Sequence, residues 1–456
     1  MSWKPHTNLI AASILSVIGF YVLSFVIERS QFFAYLPTIT LLFGAYIVLL
    51  RELNKEETSF QTGLTLSILF RGILLFSIPV LSDDYFRFIW DGNLLAHGIN
   101  PFSSTPTQLI QGSTDFFIPQ SIYEGLNSKD YFTVYPPVSQ FIYWMGAMLF
   151  GTQILGNVIV MRLFIFAAEI GSILILRKLL KQYGYNPKYA FIYGLNPLMI
   201  IELTGNLHFE GIMIFFLLWA FYLLQNRKYI LAFVCITLSV NTKLIPLLLT
   251  PYLVFSIGLK RTIYFAAIGV FGTIALHIPF LDQQFVQNFG SSLGLYFKTF
   301  EFNASIYYIV RWVGFQVKGY NIIQDAGPIM ALISTSLMVI VSWLYRDKTL
   351  KNLPVAYITI LMIYYMFSTT VHPWYVSSLL IFVPLAGTLF PVAWSLLLPL
   401  TYITYRTTAY EQDLLLIAIE YILVIIVLGI DVYRRKELIA EKFRYLILSF
   451  SKNITN

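Results

Sequence analysis

The chain has 456 residues, of which 57% are apolar, 17% aromatic and only 12% Asp, Glu, Lys or Arg. Soluble domains run at about 45–50% apolar and about 25% charged, so this chain lacks the polar surface to face water on all sides. Soluble globular, disordered and fibrous classes drop out. Apolar stretches of about 20 residues point to an all-α polytopic membrane protein and away from an outer-membrane barrel.

The net charge of +7 comes from 30 Lys and Arg against 23 acids, and in such a chain its meaning lies in which turns hold it. A single cysteine, Cys235, excludes a disulfide framework and a Cys-based metal site. The lead 1–8 enters a full-length apolar span with no small-residue cleavage site, so no cleavable signal is expected.

Apolar runs predict about 14 spans, near 8–27, 34–50, 62–81, 154–176, 187–203, 210–225, 229–243, 246–258, 262–280, 326–345, 353–370, 375–389, 391–405 and 413–432. The pair flanking Lys243 reads as two half-length helices meeting at depth, because Pro246 and the polar run from Ser239 break the helix there. No repeat or low-complexity segment is visible. The whole chain, 1–456, reads as one domain with two long extracytoplasmic loops, 82–153 and 281–325, and a basic cytoplasmic tail, 433–456.

Basic residues collect in the turns 51–61, 177–188, 226–228, 260–261 and 346–351 and in the tail, whereas 82–153 holds only Arg87 and Lys129. If both termini are cytoplasmic, every basic turn falls inside, provided 135–151 lies in the headgroup plane and does not cross. Pro136-Pro137 and the belt residues Phe141, Tyr143 and Trp144 suit that placement. The expected location is the plasma (inner) membrane. Buried ionisable residues need partners, so Arg71, and Arg162 with Glu169 seven residues on, read as structural ion pairs.

Four outer turns carry polar residues beside apolar spans. The densest is Ser82-Asp83-Asp84-Tyr85-Phe86-Arg87, followed by Trp90-Asp91-Gly92 and Gly98-Ile99-Asn100-Pro101-Phe102. Adjacent carboxylates raise one another's pKa and a nearby cation lowers it, which is how a base is tuned; a solvated helix end is the plain alternative. The other turns hold Asn206, His208 and Glu210; His372-Pro373-Trp374-Tyr375; and Phe302-Asn303-Ala304-Ser305 leading to Tyr307, Tyr308 and Arg311. By the charge map all four face one side, as a single site requires. Lys243, at the helix break, can meet a lipid phosphate as a point charge.

These motifs resemble polyprenyl-phosphate-sugar-dependent glycosyltransferases of the GT-C fold, in particular their bacterial mannosyltransferase-like branch. The resemblance is carried, from about residue 80 to 380, by Asp-Asp-Tyr-x-Arg, Trp-Asp-Gly, Gly-Ile-Asn-Pro-Phe, Tyr-Pro-Pro, Asn206-Leu207-His208-Phe209-Glu210-Gly211, Thr242-Lys243-Leu244-Ile245-Pro246 and His372-Pro373-Trp374-Tyr375. Family members usually open the first long loop after their first span, whereas two further spans precede it here.

The resemblance implies that Asp84, preceding Tyr85 and three before Arg87, is the catalytic base, with Asp83 as runner-up. A hexose, mannose by the branch, would arrive on a polyprenyl phosphate, and a glycan or glycolipid hydroxyl deprotonated by Asp84 would displace that phosphate with inversion. Lys243, Arg311, His372 and Arg406 are the implied phosphate partners. His208 and Glu210 would hold the acceptor or supply a second acid position, and Trp90, Trp374 and Tyr375 would offer sugar-stacking faces. Asp91 and Tyr135 complete the candidate binding set, and Arg87 the catalytic one.

Asp83, Asp84 and Glu210 form a candidate oxygen site for a divalent cation, a cofactor the resemblance allows without demanding. Besides donor, acceptor and membrane lipids no partner is expected, and no nucleic acid. A polytopic transporter or lipid-linked sugar flippase is the alternative; a scaffold and a glycan polymerase or ligase stand behind it.

Overall fold

The computed structural model describes residues 7–112 and 116–436. Among these the protein is helical, with no strand and one isolated bridge between Phe302 and Thr370. Six helices are long and apolar enough to cross a bilayer: Thr7–Phe25, Phe32–Leu53, Ile154–Gln182, Leu259–Phe280, Ile323–Leu344 and Leu414–Arg434. Pro197–Gly205 and Glu210–Gln225, bent by 112°, supply a seventh if counted as one span.

Among the described residues six or seven of the about 14 expected spans thus meet the length and composition of a crossing helix, and Phe60–Phe76, Tyr229–Val240, Ile245–Ile257 and Leu353–Phe367 are shorter apolar helices. The apolar runs all fall on helical segments, but those near 187–203, 246–258, 375–389 and 391–405 are cut into short pieces. Prolines open these pieces in their first turn: Pro187, Pro197, Pro246, Pro251, Pro373, Pro384, Pro391 and Pro399. Proline lacks the N–H that a helix interior needs and fits the first turn, so each one ends a run of hydrogen bonds and starts the next. The break at Lys243 is of this kind: Tyr229–Val240 ends, three residues turn, and Ile245–Leu249 resumes after Leu244.

The core is pinned by two buried arginines with different jobs. Arg71 grips Glu169 with two hydrogen bonds, 2.8 and 3.0 Å, and Tyr193 and Thr204 donate to the same carboxylate. Arg162 is not the partner of Glu169. It donates instead to the carbonyls of Leu75, Ser77, Thr204 and Gly205 at 2.5–2.9 Å. These carbonyls end two helical segments and would otherwise stand unsatisfied in a dry interior. Sequence spacing pointed to a partner two turns along one helix; the actual partner lies on another helix.

Arg162 thereby ties the end of Phe60–Phe76 to the bend at 204–206. Asn206 then accepts from the backbone N–H of Leu81, 3.1 Å away and two residues before the paired acids. The described residues of the segment 82–153 carry four helices: Asp84–Ala96, Pro106–Gln111, Gln120–Gly125 and Pro137–Phe150. The last has 14 residues, about 21 Å at 1.5 Å each, short of the about 30 Å hydrocarbon core. It packs on Asp84–Ala96 so closely that a Cβ on Gly92 would stand 2.3 Å from the Tyr143 carbonyl oxygen. That approach explains the glycine of Trp90-Asp91-Gly92.

Candidate active site

Asp84 opens its helix, where the exposed N–H groups favour a negative side chain. Its carboxylate is half-buried and accepts from the Asn127 amide at 2.9 Å. Burial pushes its pKa above the usual carboxylate range; hydrogen bonds from Asn127 and Tyr135 and the charge of Lys243 pull it partly back, while Asp83 pushes it up. Asp83 is tied elsewhere. Arg29, from the turn between the first two helices, pairs with it at 2.6 Å and lies over the Tyr405 ring. The two neighbouring acids are thus unequal: one is neutralised by an arginine and the other faces open space.

That space is a cavity of about 960 Å³, lined among others by Asp83, Asp84, Arg87, Tyr135, Lys243, His372, Trp374 and Tyr375. Lys243 enters from the helix break, its ammonium paired with the fully buried Glu210 and above the Tyr375 ring at 5.7 Å. The break itself is held to the Pro137–Phe150 helix, because the Asn241 carbonyl accepts from Val138 N at 3.0 Å and the Thr242 carbonyl from the Ser139 hydroxyl at 3.1 Å. His372 closes the far wall. Burial, and Lys243 next, hold its pKa down at about 3, so it is neutral at ordinary pH.

The remaining candidates lie outside the cavity wall. Trp90 is fully buried beneath Phe116 and Tyr123 and offers no face to a sugar. Asp91 is spent on Arg87, Thr133 and Gln140, at 2.7, 2.6 and 2.9 Å. Arg87 also donates to the carbonyls of Ser128 and Tyr131, and so holds beside Asp84 the loop that bears Asn127.

His208 sits behind Trp374, ring on ring at 3.7 Å, and His372 covers the other face of Trp374 at 4.4 Å. With Phe302 stacked on His372 at 4.8 Å, four rings form a column in which Trp374 has no free face for stacking. Arg311 is paired with Glu301. Arg406 lines a separate, smaller pocket beside Arg29 and lies over the Phe33 ring.

Asp83 and Glu210 already hold Arg29 and Lys243. Among the described residues no group of three or more His, Cys, Asp or Glu is placed to hold a metal ion.

Residues 3–258 match the family model described as alpha-(1->6)-mannopyranosyltransferase, N-terminal domain. The chain belongs to this family. Alpha-(1->6)-mannopyranosyltransferase A of Corynebacterium glutamicum is 25% identical over 243 residues, covering 50% of this chain and 46% of the relative. The protein of the same name from Mycobacterium tuberculosis is 23% identical over 206 residues, 45% of this chain and 38% of the relative. The chain therefore spans less than half the length of the curated relatives it matches.

The mannopyranosyltransferase family match begins at residue 3, so the first two helices, Thr7–Phe25 and Phe32–Leu53, lie within the matched region. Through Arg29 they reach the cavity. Arg29, Asn127, Glu301 and Gln412 line the cavity without having been singled out from the sequence. Arg29 did carry a signal, as a basic residue in a turn that the charge map expects on the side where basic residues are scarce. The other three are lone polar residues in loops, and only tertiary structure brings them to the wall.

Proposed function

We propose that the protein is a GT-C-type mannosyltransferase, taking its sugar from a polyprenyl-phosphate-linked donor on the extracytoplasmic side of the plasma membrane and inverting the anomeric centre. The observation that carries this reading is the pairing of an unneutralised, half-buried Asp84 with Lys243 and His372 around one cavity. Asp84 takes the proton of the acceptor hydroxyl. The hydroxyl oxygen then bonds to the anomeric carbon, the bond from that carbon to the phosphate oxygen breaks, and its electron pair leaves with the polyprenyl phosphate.

A raised pKa makes Asp84 a better proton acceptor at neutral pH than an ordinary aspartate. Lys243, held in place by Glu210, stabilises the negative charge that grows on the leaving phosphate. His372, uncharged, stands beside it as a hydrogen-bonding ring. Both termini are cytoplasmic in this reading.

The test uses the purified chain in liposomes with mannosyl-phosphoryl polyprenol and an α-mannoside acceptor. Asp84→Asn is expected to lower transfer by about 10³-fold with an unchanged melting temperature, and NMR of the wild-type product gives the anomeric configuration. An Asn variant with full activity removes the base. Solute movement with no new glycosidic bond would favour the carrier reading, to which the bent helix pair also lends itself.

A further inference from the structure

Besides Asp83, Asp84 and Glu124, Glu301 is a further carboxylate on the cavity wall, from the other long loop and with no part in the proton transfer just described. Its side chain is 24% exposed, and its two oxygens are held separately: Arg311 donates to one and the Asn321 amide, at 3.3 Å, to the other. Asn321 is itself fixed by the Tyr307 hydroxyl at 2.6 Å.

The chain around Glu301 is equally fixed. Asn303 adopts a left-handed conformation, φ 46°, that asparagine tolerates better than most residues. Its N–H donates to Gln412 at 2.7 Å, its side chain to Glu420 at 3.1 Å, and its carbonyl accepts from Tyr421 at 2.7 Å. The Gln412 amide returns to the Glu301 carbonyl at 3.3 Å. Beside Glu301 the wall is aromatic, with Phe300 edge-on to Tyr131 at 5.5 Å.

We infer that Glu301, with Gln412 and the Phe300–Tyr131 wall, forms a recognition subsite for the hydroxyl groups of a hexopyranose. The chemistry selects this ligand class. Arg311 is the nearest cation, and Glu301 cancels its charge; a phosphate placed here would meet a carboxylate head-on. Sugar hydroxyls, in contrast, donate to a fixed carboxylate, and a sugar's C–H face packs on aromatic rings. The inference rests on the sugar-transfer reading and adds to it the part that grips the ring away from the reacting carbon. The hydroxyls can belong to the acceptor or to the donor hexose.

The experiment uses the full chain in lipid nanodiscs, with methyl α-D-mannopyranoside and its 2-, 3- and 4-deoxy derivatives as acceptors and the matching deoxy sugars in the polyprenyl-phosphate donor. Wild-type protein is expected to lose about 10- to 100-fold in kcat/KM on the one compound that lacks the gripped hydroxyl, because a charged acceptor is left unpaired. In Glu301→Gln that particular penalty shrinks toward onefold and the penalties on the other compounds stay. Appearance in the acceptor series assigns the subsite to the acceptor, and in the donor series to the transferred sugar.

The paired variant Glu301→Gln/Arg311→Gln provides the same reading if a lone guanidinium unsettles the loop. An equal loss on every compound, or none, overturns the inference. A wild-type chain that transfers to no acceptor overturns the transfer reading instead. Saturation-transfer NMR with methyl α-D-mannopyranoside then decides the subsite alone: the signal must fall in Glu301→Gln, and an unchanged signal ends it.

Discussion

Two carboxylate–cation pairs in this molecule have the same composition of charge and opposite use. Arg71 and Glu169 are both fully buried, and both Glu169 oxygens are shared among Arg71, Tyr193 and Thr204. Lys243 and Glu210 are also in contact, but Lys243 is 21% exposed to the cavity and the second oxygen of Glu210 has no hydrogen-bond partner. A pair with every lone pair engaged can only hold helices together. A pair with a free edge and an open side can pass part of its attraction to a guest. What separates the two pairs is that Lys243 opens onto the cavity and Arg71 does not.

The sharpest way to break this contrast is to remove one cation from each pair. Arg71→Met leaves Glu169 charged and unpaired in a dry interior, and is expected to destabilise the fold by about 3–5 kcal/mol. A melting curve in detergent reads this as a large fall in Tm, and an unshifted curve would mean that Glu169 is not charged in the fold. Lys243→Met leaves the buried Glu210 unpaired, but the position opens onto the cavity, so the change is expected to lower Tm less than Arg71→Met and to lower turnover by about 10²–10³-fold, the usual cost of one missing charge-stabilising donor. If Lys243→Met unfolds the protein while its residual turnover per folded molecule is normal, the two pairs are the same kind of object after all.

A smaller effect compares the two neighbouring acids. In the proposed reaction Asp84 acts ionised, and burial raises its pKa, so the rate should fall as pH drops through a value above the ordinary carboxylate range. The negative charge of Asp83 adds to that rise. Asp83→Asn should therefore move the acid limb of kcat/KM to lower pH. The shift should be under about one unit, because Arg29 already cancels most of that charge. Arg29→Gln frees the charge and should move the limb the other way. Shifts of the same sign in both variants would show that Asp83 and Arg29 act on structure and not on charge.

How much of this was legible in the sequence depends on whether a residue's role is local. Asp83, Asp84, Tyr135, Lys243 and His372 stand out as polar groups beside apolar spans, and they line one cavity. Trp90 and Asp91 stood out equally, yet their motif is a packing device: Gly92 admits the Tyr143 backbone, and Asp91 fastens Arg87. Trp374 looked like a sugar platform, and only its neighbours reveal that His208 and His372 occupy both faces. Glu301 and Asn127 are unremarkable where they stand in the chain. Their meaning comes from partners 10 and 43 residues away. The cutting of several apolar runs into short pieces was likewise not legible, since hydropathy sees an apolar run and is indifferent to the prolines that divide it.

The isolated bridge at Phe302 has a consequence for which substitutions this part of the chain can absorb. The peptide of Phe302 donates to the Thr369 carbonyl at 3.0 Å and accepts from the Val371 N–H at 2.8 Å, so the stretch carrying Glu301 and the stretch carrying His372 are stapled main chain to main chain. A staple made of peptide groups is indifferent to side-chain identity. The main-chain register of the two loops therefore survives side-chain changes at 302, 369 and 371 even where the ring of Phe302 on His372 is lost, so long as neither 302 nor 371 becomes proline and gives up its N–H.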